Sequence, residues 1–414
     1  MKNNLLYTPK PLSFQLMSKP IGSVCNLECT YCYYLEKKEL FDKGTNFKMT
    51  EETLELYVKQ YIEQQEAPVI EFVWHGGEPT IRGLDFYKLA IQFQNKYSGL
   101  KQIKNSFQTN GTLINEDWCH FFKTNNFLVG ISIDGPENIH DQFRIFKNGI
   151  PSFVQVMKCI DLFHKHNVEF NTMSVVHRKN SAYPLEIYNF LKQIGSGFIQ
   201  FSPIVERINV SKPNNQKFVS PLDITTNFVS EWSVLPEDYG RFICTLFDEW
   251  VQHDVGKVYV QLFDVSLANW YGVASGLCIF SPTCGDAPIM EYNGNIYSCD
   301  HFVFDNYLLG NIYDKSLREM MLSNKQIKFG AAKRESLTQQ CMNCEVRFAC
   351  HGECPKNRFT ISKDGEYGLN YLCSAYYRFF KHITPYMKFM VEELNNQRPP
   401  ANIMTKIQEI KNLM

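Results

Sequence analysis

Three cysteines, Cys25, Cys29 and Cys32, fall within eight positions of "SVCNLECTYCYYLEK". A structural zinc site closes with four ligands and disulfides pair cysteines in twos, so three thiolates suit a metal centre with one position left for an outside ligand. Eight more thiols follow downstream: Cys278, Cys284 and Cys299, then Cys341, Cys344, Cys350 and Cys354 in "CMNCEVRFACHGEC", then Cys373. Eight close two four-ligand sites. Thiolates alone do not separate zinc from iron–sulfur there, so two zinc ribbons stay open beside two clusters. Of the 14 cysteines, Cys119, Cys159 and Cys244 remain; they lie in helix-like segments and are expected to be small buried hydrophobes. Two further stretches carry chemistry. "HGGEP" (75–79) has two glycines that let a ligand approach the backbone, and "YSCD" sets Asp300 directly after Cys299.

These groups need a scaffold. Hydrophobic residues make up 44% of the 414, enough for a sizeable core. A formal net charge of -1 argues against bulk electrostatic binding to nucleic acid or to an anionic membrane. The N-terminal "MKNNLLYTPKPLSF" lacks the apolar core of a signal peptide, and no apolar run is long enough to span a bilayer. The expected location is cytoplasmic, a reducing compartment where thiols bind metal or catalyse more often than they form disulfides.

Six stretches have strand character: 13–19, 69–75, 103–109, 127–134, 168–176 and 198–204. Helical patterns lie between them, the clearest at 50–65, with Thr50 as N-cap and Leu54, Tyr57, Val58 and Tyr61 on one face. Others cover 84–97, 115–125, 151–166 and 183–194. Alternation of this kind predicts an α/β fold with a parallel sheet, right-handed crossovers and six units, a partial barrel whose chemistry sits on the loops after the strands. Cys25, Cys29 and Cys32 then follow strand one, and "HGGEP" follows strand two. A polar connection spans 206–236, and a strongly amphipathic helix spans 237–252. From about 270 cysteines return, and "PIMEYNGNIYSC" predicts a hairpin turning at Asn293-Gly294. The tail from Tyr376 is helical in pattern.

The spacing C-x3-C-x2-C with aromatic Tyr31 before the last cysteine resembles the radical S-adenosylmethionine (SAM) superfamily. The resemblance implies a [4Fe–4S] cluster on Cys25, Cys29 and Cys32. Its free iron is chelated by SAM, which is cleaved to a 5′-deoxyadenosyl radical. It further implies SAM contacts at Tyr31, at Gly76 and Gly77, at Ser132 (ribose), at Arg144 (carboxylate) and at Val205. The downstream pattern, C-x2-C-x5-C-x3-C and a late cysteine, is similar to the SPASM domain. That likeness implies two auxiliary [4Fe–4S] clusters, one on Cys278, Cys284, Cys299 and Cys354 and one on Cys341, Cys344, Cys350 and Cys373. The expected organisation is a (β/α)6 radical SAM partial barrel over 1–240, a helical connection over 241–269, a small cysteine-rich SPASM domain with a β-hairpin and helices over 270–375, and a helical extension over 376–414.

"HGGEPT", "QTNGTLI", "FLVGISIDGP", "YSCDHFVF" and "LGNIYD" resemble the anaerobic sulfatase-maturating enzymes. Those enzymes oxidise a cysteine or serine of a nascent or unfolded sulfatase polypeptide to Cα-formylglycine and draw on an electron donor such as flavodoxin or ferredoxin. The resemblance makes Asp300 the general base. One position departs: where some relatives carry Gln before Gly-Gly, this chain has His75, which leaves cysteine against serine undecided. Two alternatives remain at this stage. Another SPASM maturase, such as a thioether-forming enzyme, often carries an N-terminal recognition domain, for which the early first strand leaves no room. A non-catalytic metal scaffold would hold two or three zincs rather than about twelve irons. Replacing Cys25, Cys29 and Cys32 together by Ala is expected to abolish 5′-deoxyadenosine formation while downstream iron stays bound; persistent deoxyadenosine in the triple variant would refute the free-iron site.

Overall fold

The computed structural model describes residues 12–34, 37, 46–208, 219–221, 223 and 226–411. Six parallel strands lie side by side in chain order: β1 (Met17–Lys19), β2 (Val69–Trp74), β3 (Gln102–Thr109), β4 (Phe127–Ser132), β5 (Phe170–Val176) and β6 (Phe198–Pro203). The predicted first strand, 13–19, shortens to three residues. The Phe14 amide donates to Gln65 Oε1 and the Leu16 amide to the Tyr61 hydroxyl, so side chains of the next helix take hydrogen bonds that a ladder would have used.

Helices α1 (Glu51–Glu63), α2 (Leu84–Tyr97), α3 (Glu116–Thr124), the short α4 (Glu137–His140), α5 (Phe153–His166) and α6 (Pro184–Gln193) connect the strands. Thr50 caps α1 by accepting from the Thr53 amide, as the sequence predicts. On β2 the alternating residues Ile70, Phe72 and Trp74 are fully buried. Phe72 and Trp74 meet Tyr57, Tyr61 and Tyr87 of α1 and α2 edge-on, so one face of the sheet packs against the helices.

The sheet continues past the six units. After α7 (Pro236–His253), β7 (Tyr259–Val260) adds parallel to β6 and leads into α8 (Gln261–Tyr271). At the opposite edge β8 (Ile289–Glu291) pairs parallel to β1, and β9 (Asn295–Tyr297) and β10 (Leu308–Asn311) extend it antiparallel. The predicted hairpin is β8–β9, with Gly294 at φ +84° in its turn. It joins the barrel's own sheet, giving ten strands in the order β10-β9-β8-β1-β2-β3-β4-β5-β6-β7. The remaining strands, β11 (Arg358–Ile361) and β12 (Tyr367–Asn370), form a separate pair, and the long C-terminal helix runs Cys373–Asn395. No helix among the described residues is long and apolar enough to cross a membrane.

The loop after β1 is held by the loop after β2. The Gly77 amide donates to Gly22 O at 2.8 Å and the Glu78 amide to Val24 O at 2.8 Å. A Cβ on Gly77 would stand 2.0 Å from Val24 O and 2.4 Å from its carbonyl carbon. Backbone cannot yield as a side chain end does, so Gly77→Ala should cost about 1–3 kcal/mol and displace the three-cysteine loop. Denaturant unfolding of the cluster-loaded protein measures this, and wild-type stability with wild-type SAM cleavage would show that the contact is dispensable.

Candidate active site

The three-cysteine loop is fastened on both sides. Glu28 and Thr30 amides donate to the Ile145 and Phe143 carbonyls at 2.8 and 3.2 Å, and Leu27 bridges Phe146. Asn110, on the loop after β3, donates to Asn26 Oδ1 at 2.9 Å and reaches Cys25 Sγ at 3.7 Å. Beneath it lies Glu78, fully buried, whose carboxylate accepts from the Thr80 amide and hydroxyl, the Thr109 hydroxyl and the Asn110 amide at 2.6–3.1 Å. One carboxylate thus ties together the ends of β2 and β3. Burial, with Glu78 nearby, pushes the Cys25 thiol up to about 12. Cys29 is raised by burial as well, and Cys25 and Cys32 act on it electrostatically, which places the three thiols around one point. Dry thiols of this kind ionise when a cation supplies the opposing charge.

Above the loop Tyr31 donates to Asp134 Oδ2, which also accepts from Arg144 Nε at 2.9 Å, while Oδ1 accepts from the Val175 amide at 2.9 Å. Burial alone would raise the Asp134 carboxyl, but the Arg144 guanidinium holds it below the usual range. Arg144 is nearly buried, yet its Nη nitrogens donate to no described residue, so they are available to an anion. Ser132 Oγ accepts from Gln108 at 3.0 Å at the end of β4. Gly76 takes φ +139° and donates its amide to His75 Nδ1 at 2.7 Å. Nδ1 is therefore the acceptor and the ring proton is assigned to Nε2. Burial and Lys19 push His75 down to about 4, so its imidazole is neutral at physiological pH. Val205 is buried beyond β6, and its carbonyl accepts from Lys356 Nζ at 3.0 Å.

Asp300 follows β9 and meets the end of β1. Lys19 Nζ, with no side-chain exposure, forms an ion pair with Asp300 Oδ1, and the Tyr33 hydroxyl donates to Oδ2. Lys19 also lies 3.1 Å from the centroid of the Tyr34 ring. Its β8 register partner Glu291 accepts from the Tyr34 hydroxyl. Burial would raise Asp300, yet Lys19, with His301 and His75, holds it far below the usual aspartate value. Asp300, Tyr33, His75 and Lys19 thus converge from four segments. Sequence reasoning found Asp300 but missed Lys19, Tyr33, Asp134, Glu78 and Glu291. The available signals were a lysine closing an apolar strand and acids inside "HGGEP" and "SIDGP".

The eight downstream cysteines separate into two quartets. Cys278, Cys284, Cys299 and Cys354 interact electrostatically with one another. Two buried cations hold this ground: Lys333 Nζ donates to the Cys278 and Ile279 carbonyls at 2.6 and 2.8 Å, and Arg358 donates to the His351 and Glu353 carbonyls. The other four, Cys341, Cys344, Cys350 and Cys373, all line one cavity of about 550 Å³. Tetrahedral zinc with Zn–S near 2.3 Å requires sulfurs about 3.8 Å apart. Among the described residues no three cysteines have sulfurs all within 4.8 Å of one another, a spacing wider than that of a closed zinc site and compatible with the larger iron–sulfur groups. Cys119, Cys159 and Cys244 are buried in helices, as expected.

The radical SAM superfamily model matches residues 20–191, and the SPASM model, an iron-sulfur cluster-binding domain, matches 284–345. A serine-type anaerobic sulfatase-maturating enzyme of Bacteroides thetaiotaomicron is 51% identical over 403 residues, covering 97% of each chain. A cysteine-type anaerobic sulfatase-maturating enzyme of Clostridium perfringens is 33% identical over 379 residues, covering 91% of this chain and 97% of the relative. The chain belongs to the anaerobic sulfatase-maturating enzymes. Among solved structures, native anSMEcpe with bound AdoMet and the Cp18Cys peptide superposes with a TM-score of 0.80 at 31% identity, over 92% of this chain and all of that one. Streptococcus suis SuiB bound to S-adenosylmethionine shares the fold alone, with a TM-score of 0.58 at 15% identity.

As a sulfatase-maturating enzyme, the protein performs radical SAM oxidation of a sulfatase cysteine or serine to Cα-formylglycine, with SAM and three [4Fe–4S] clusters as cofactors. Lys19 then has a clear electrostatic duty in this enzyme. Without it the half-buried Asp300 loses its ion-pair partner, so Lys19→Met should cost about 3–5 kcal/mol at neutral pH. Because Asp300 is held below its ordinary 3.8, the stabilisation is complete above about pH 4 and is lost as pH falls through the depressed value. Anaerobic denaturation of the loaded enzyme checks this; a loss under 1 kcal/mol would show the pair to be unimportant.

Proposed function

We propose that this enzyme oxidises a serine of a nascent or unfolded sulfatase polypeptide, with Asp300 taking the hydroxyl proton. The observation that carries this reading is the Asp300 site, a half-buried, ionised carboxylate between Lys19, Tyr33 and His75. The 51% identity to a serine-type enzyme, against 33% to a cysteine-type one, supports serine as the target.

Cys25, Cys29 and Cys32 are the ligands of the SAM-binding cluster in this reading. The two downstream quartets, Cys278/Cys284/Cys299/Cys354 and Cys341/Cys344/Cys350/Cys373, are those of the auxiliary clusters. Gly76 and Gly77 offer backbone to the methionine part of SAM. The free Nη atoms of Arg144 face its carboxylate, Ser132 its ribose, and Tyr31 and Val205 line the same pocket. Bound there, SAM and the first cluster supply the radical that removes a hydrogen atom from the substrate Cβ.

The rest falls to the chain's own groups. A carboxylate offers about four lone-pair positions, and Lys19 and Tyr33 occupy two, so Asp300 can accept a hydrogen bond from the substrate hydroxyl. Its low basicity suits a proton that becomes acidic only once the Cβ hydrogen has gone. Neutral His75 offers Nε2–H to the substrate oxygen. The aldehyde results when that proton and one further electron have left; clusters held by the two downstream quartets would be able to accept that electron. The first cluster's electron comes from a carrier such as flavodoxin or ferredoxin. The setting is cytoplasmic, with no nucleic-acid or membrane partner.

Asp300→Asn keeps the size and removes the base. Formylglycine formation should fall a hundred- to ten-thousand-fold, about 3–5 kcal/mol in barrier, while deoxyadenosine formation and iron content persist. Anaerobic assays with sulfatase-motif peptides bearing Ser or Cys, followed by mass spectrometry, read both properties. Unchanged aldehyde yield in the variant would remove Asp300 from the mechanism, and oxidation of the Cys peptide alone would overturn the serine assignment.

A further inference from the structure

On the outer helical layer, away in sequence from Cys25, Cys29 and Cys32 and from the eight downstream cysteines, α3 and α5 bring three ligand-type side chains together. Glu116 opens α3 and His120 follows four residues later, so both project from one face of that helix. His166 closes α5, just before Asn167 turns the chain with φ +53°. One ligand atom from each of Glu116, His120 and His166 lies within 4.8 Å of the other two. No other trio of His, Cys, Asp or Glu among the described residues comes this close. The His120 and His166 rings stand edge to face, with centroids 4.7 Å apart at 72°. His166 Nε2 meets Glu116 Oε2, Lys165 Nζ meets Glu116 Oε1 at 2.6 Å, and no described residue hydrogen-bonds either ring nitrogen of His120.

We propose that Glu116, His120 and His166 form a binding site for a first-row divalent cation, zinc in particular, that cross-links α3 to α5. Two imidazoles and a carboxylate make up a recurrent zinc donor set, with water in the fourth position. Ligand atoms at 2.0–2.2 Å from zinc stand roughly 3.4 Å apart. Small rotations of the exposed Glu116 and His120 side chains close the remaining gap, and the half-buried His166 serves as the fixed point. Lys165 is the opposing element: it holds one carboxylate oxygen and brings a positive charge beside the cation. The site is spatially independent of the chemistry at Asp300 in its residues, so its effect is on the stability of the helical layer, since an ion that binds only the folded state stabilises it.

The test uses the full-length enzyme with its iron–sulfur clusters loaded, so that the cysteines are occupied. Equilibrium dialysis against micromolar zinc, with metal analysis, should find one zinc per chain beyond the iron, and zinc should raise the thermal midpoint. His120→Ala and His166→Ala should each weaken zinc binding on the order of a hundredfold and remove the thermal shift. Lys165→Met should strengthen binding severalfold. Formylglycine formation should be unchanged in His120→Ala, whose exposed position keeps the test valid should His166→Ala fail to fold. Absence of bound zinc in the wild-type enzyme, or equal zinc in wild type and His120→Ala, would overturn the site.

Discussion

The ion pair between fully buried Lys19 and half-buried Asp300 joins the two halves of this chain. Lys19 ends the first barrel strand, and Asp300 follows a hairpin formed nearly 300 residues later in the sequence. A buried lysine charge is costly unless it meets a partner, so the pair specifies where the hairpin docks as well as how Asp300 ionises. The β1–β8 register is consistent with this, since it sets Glu291 beside the same lysine. Lys19, Tyr33 and Tyr34 together decide which carboxylate is charged and where its free lone pairs point.

The cysteine loops depend on a different constraint, close backbone contact. The loop after β1 has little regular structure, and its shape is borrowed from neighbours: Gly77 and Glu78 below it, and residues 143–146 and Asn110 beside it. Glu78 is the hub of that arrangement because four donors from two strand ends converge on it. The glycine pair therefore has a structural use in addition to ligand approach. Gly77 brings two backbones together, whereas Gly76 adopts the unusual φ and orients His75.

The downstream cysteines use buried cations instead. Lys333 donates to the Cys278 carbonyl, and Arg358 donates both to the Glu353 carbonyl beside Cys354 and to the Lys333 carbonyl, which links the segments that carry Cys278 and Cys354. In the proposed assignment, full four-cysteine sets on both sides would leave no vacancy for substrate, and the Cys341–Cys354 segment would serve both quartets.

The elements of the barrel were legible in the amino-acid order because period and capping are local: all six strands, Thr50 as a cap and the Asn293-Gly294 turn follow from neighbours in the chain. The cysteines stood out by type and spacing, whereas Asp300 was singled out only through the family resemblance. The first strand was expected too long, since nothing local says that Gln65 and Tyr61 take its amides. Two-residue β7 is too short to show a period. The merging of the hairpin with the barrel sheet, the partner of Asp300, the convergence on Glu78 and the meeting of His120 with His166 all required tertiary structure. Each depends on side chains brought together from distant segments, and burial then turns an ordinary lysine, glutamate or glycine into a determinant of the site.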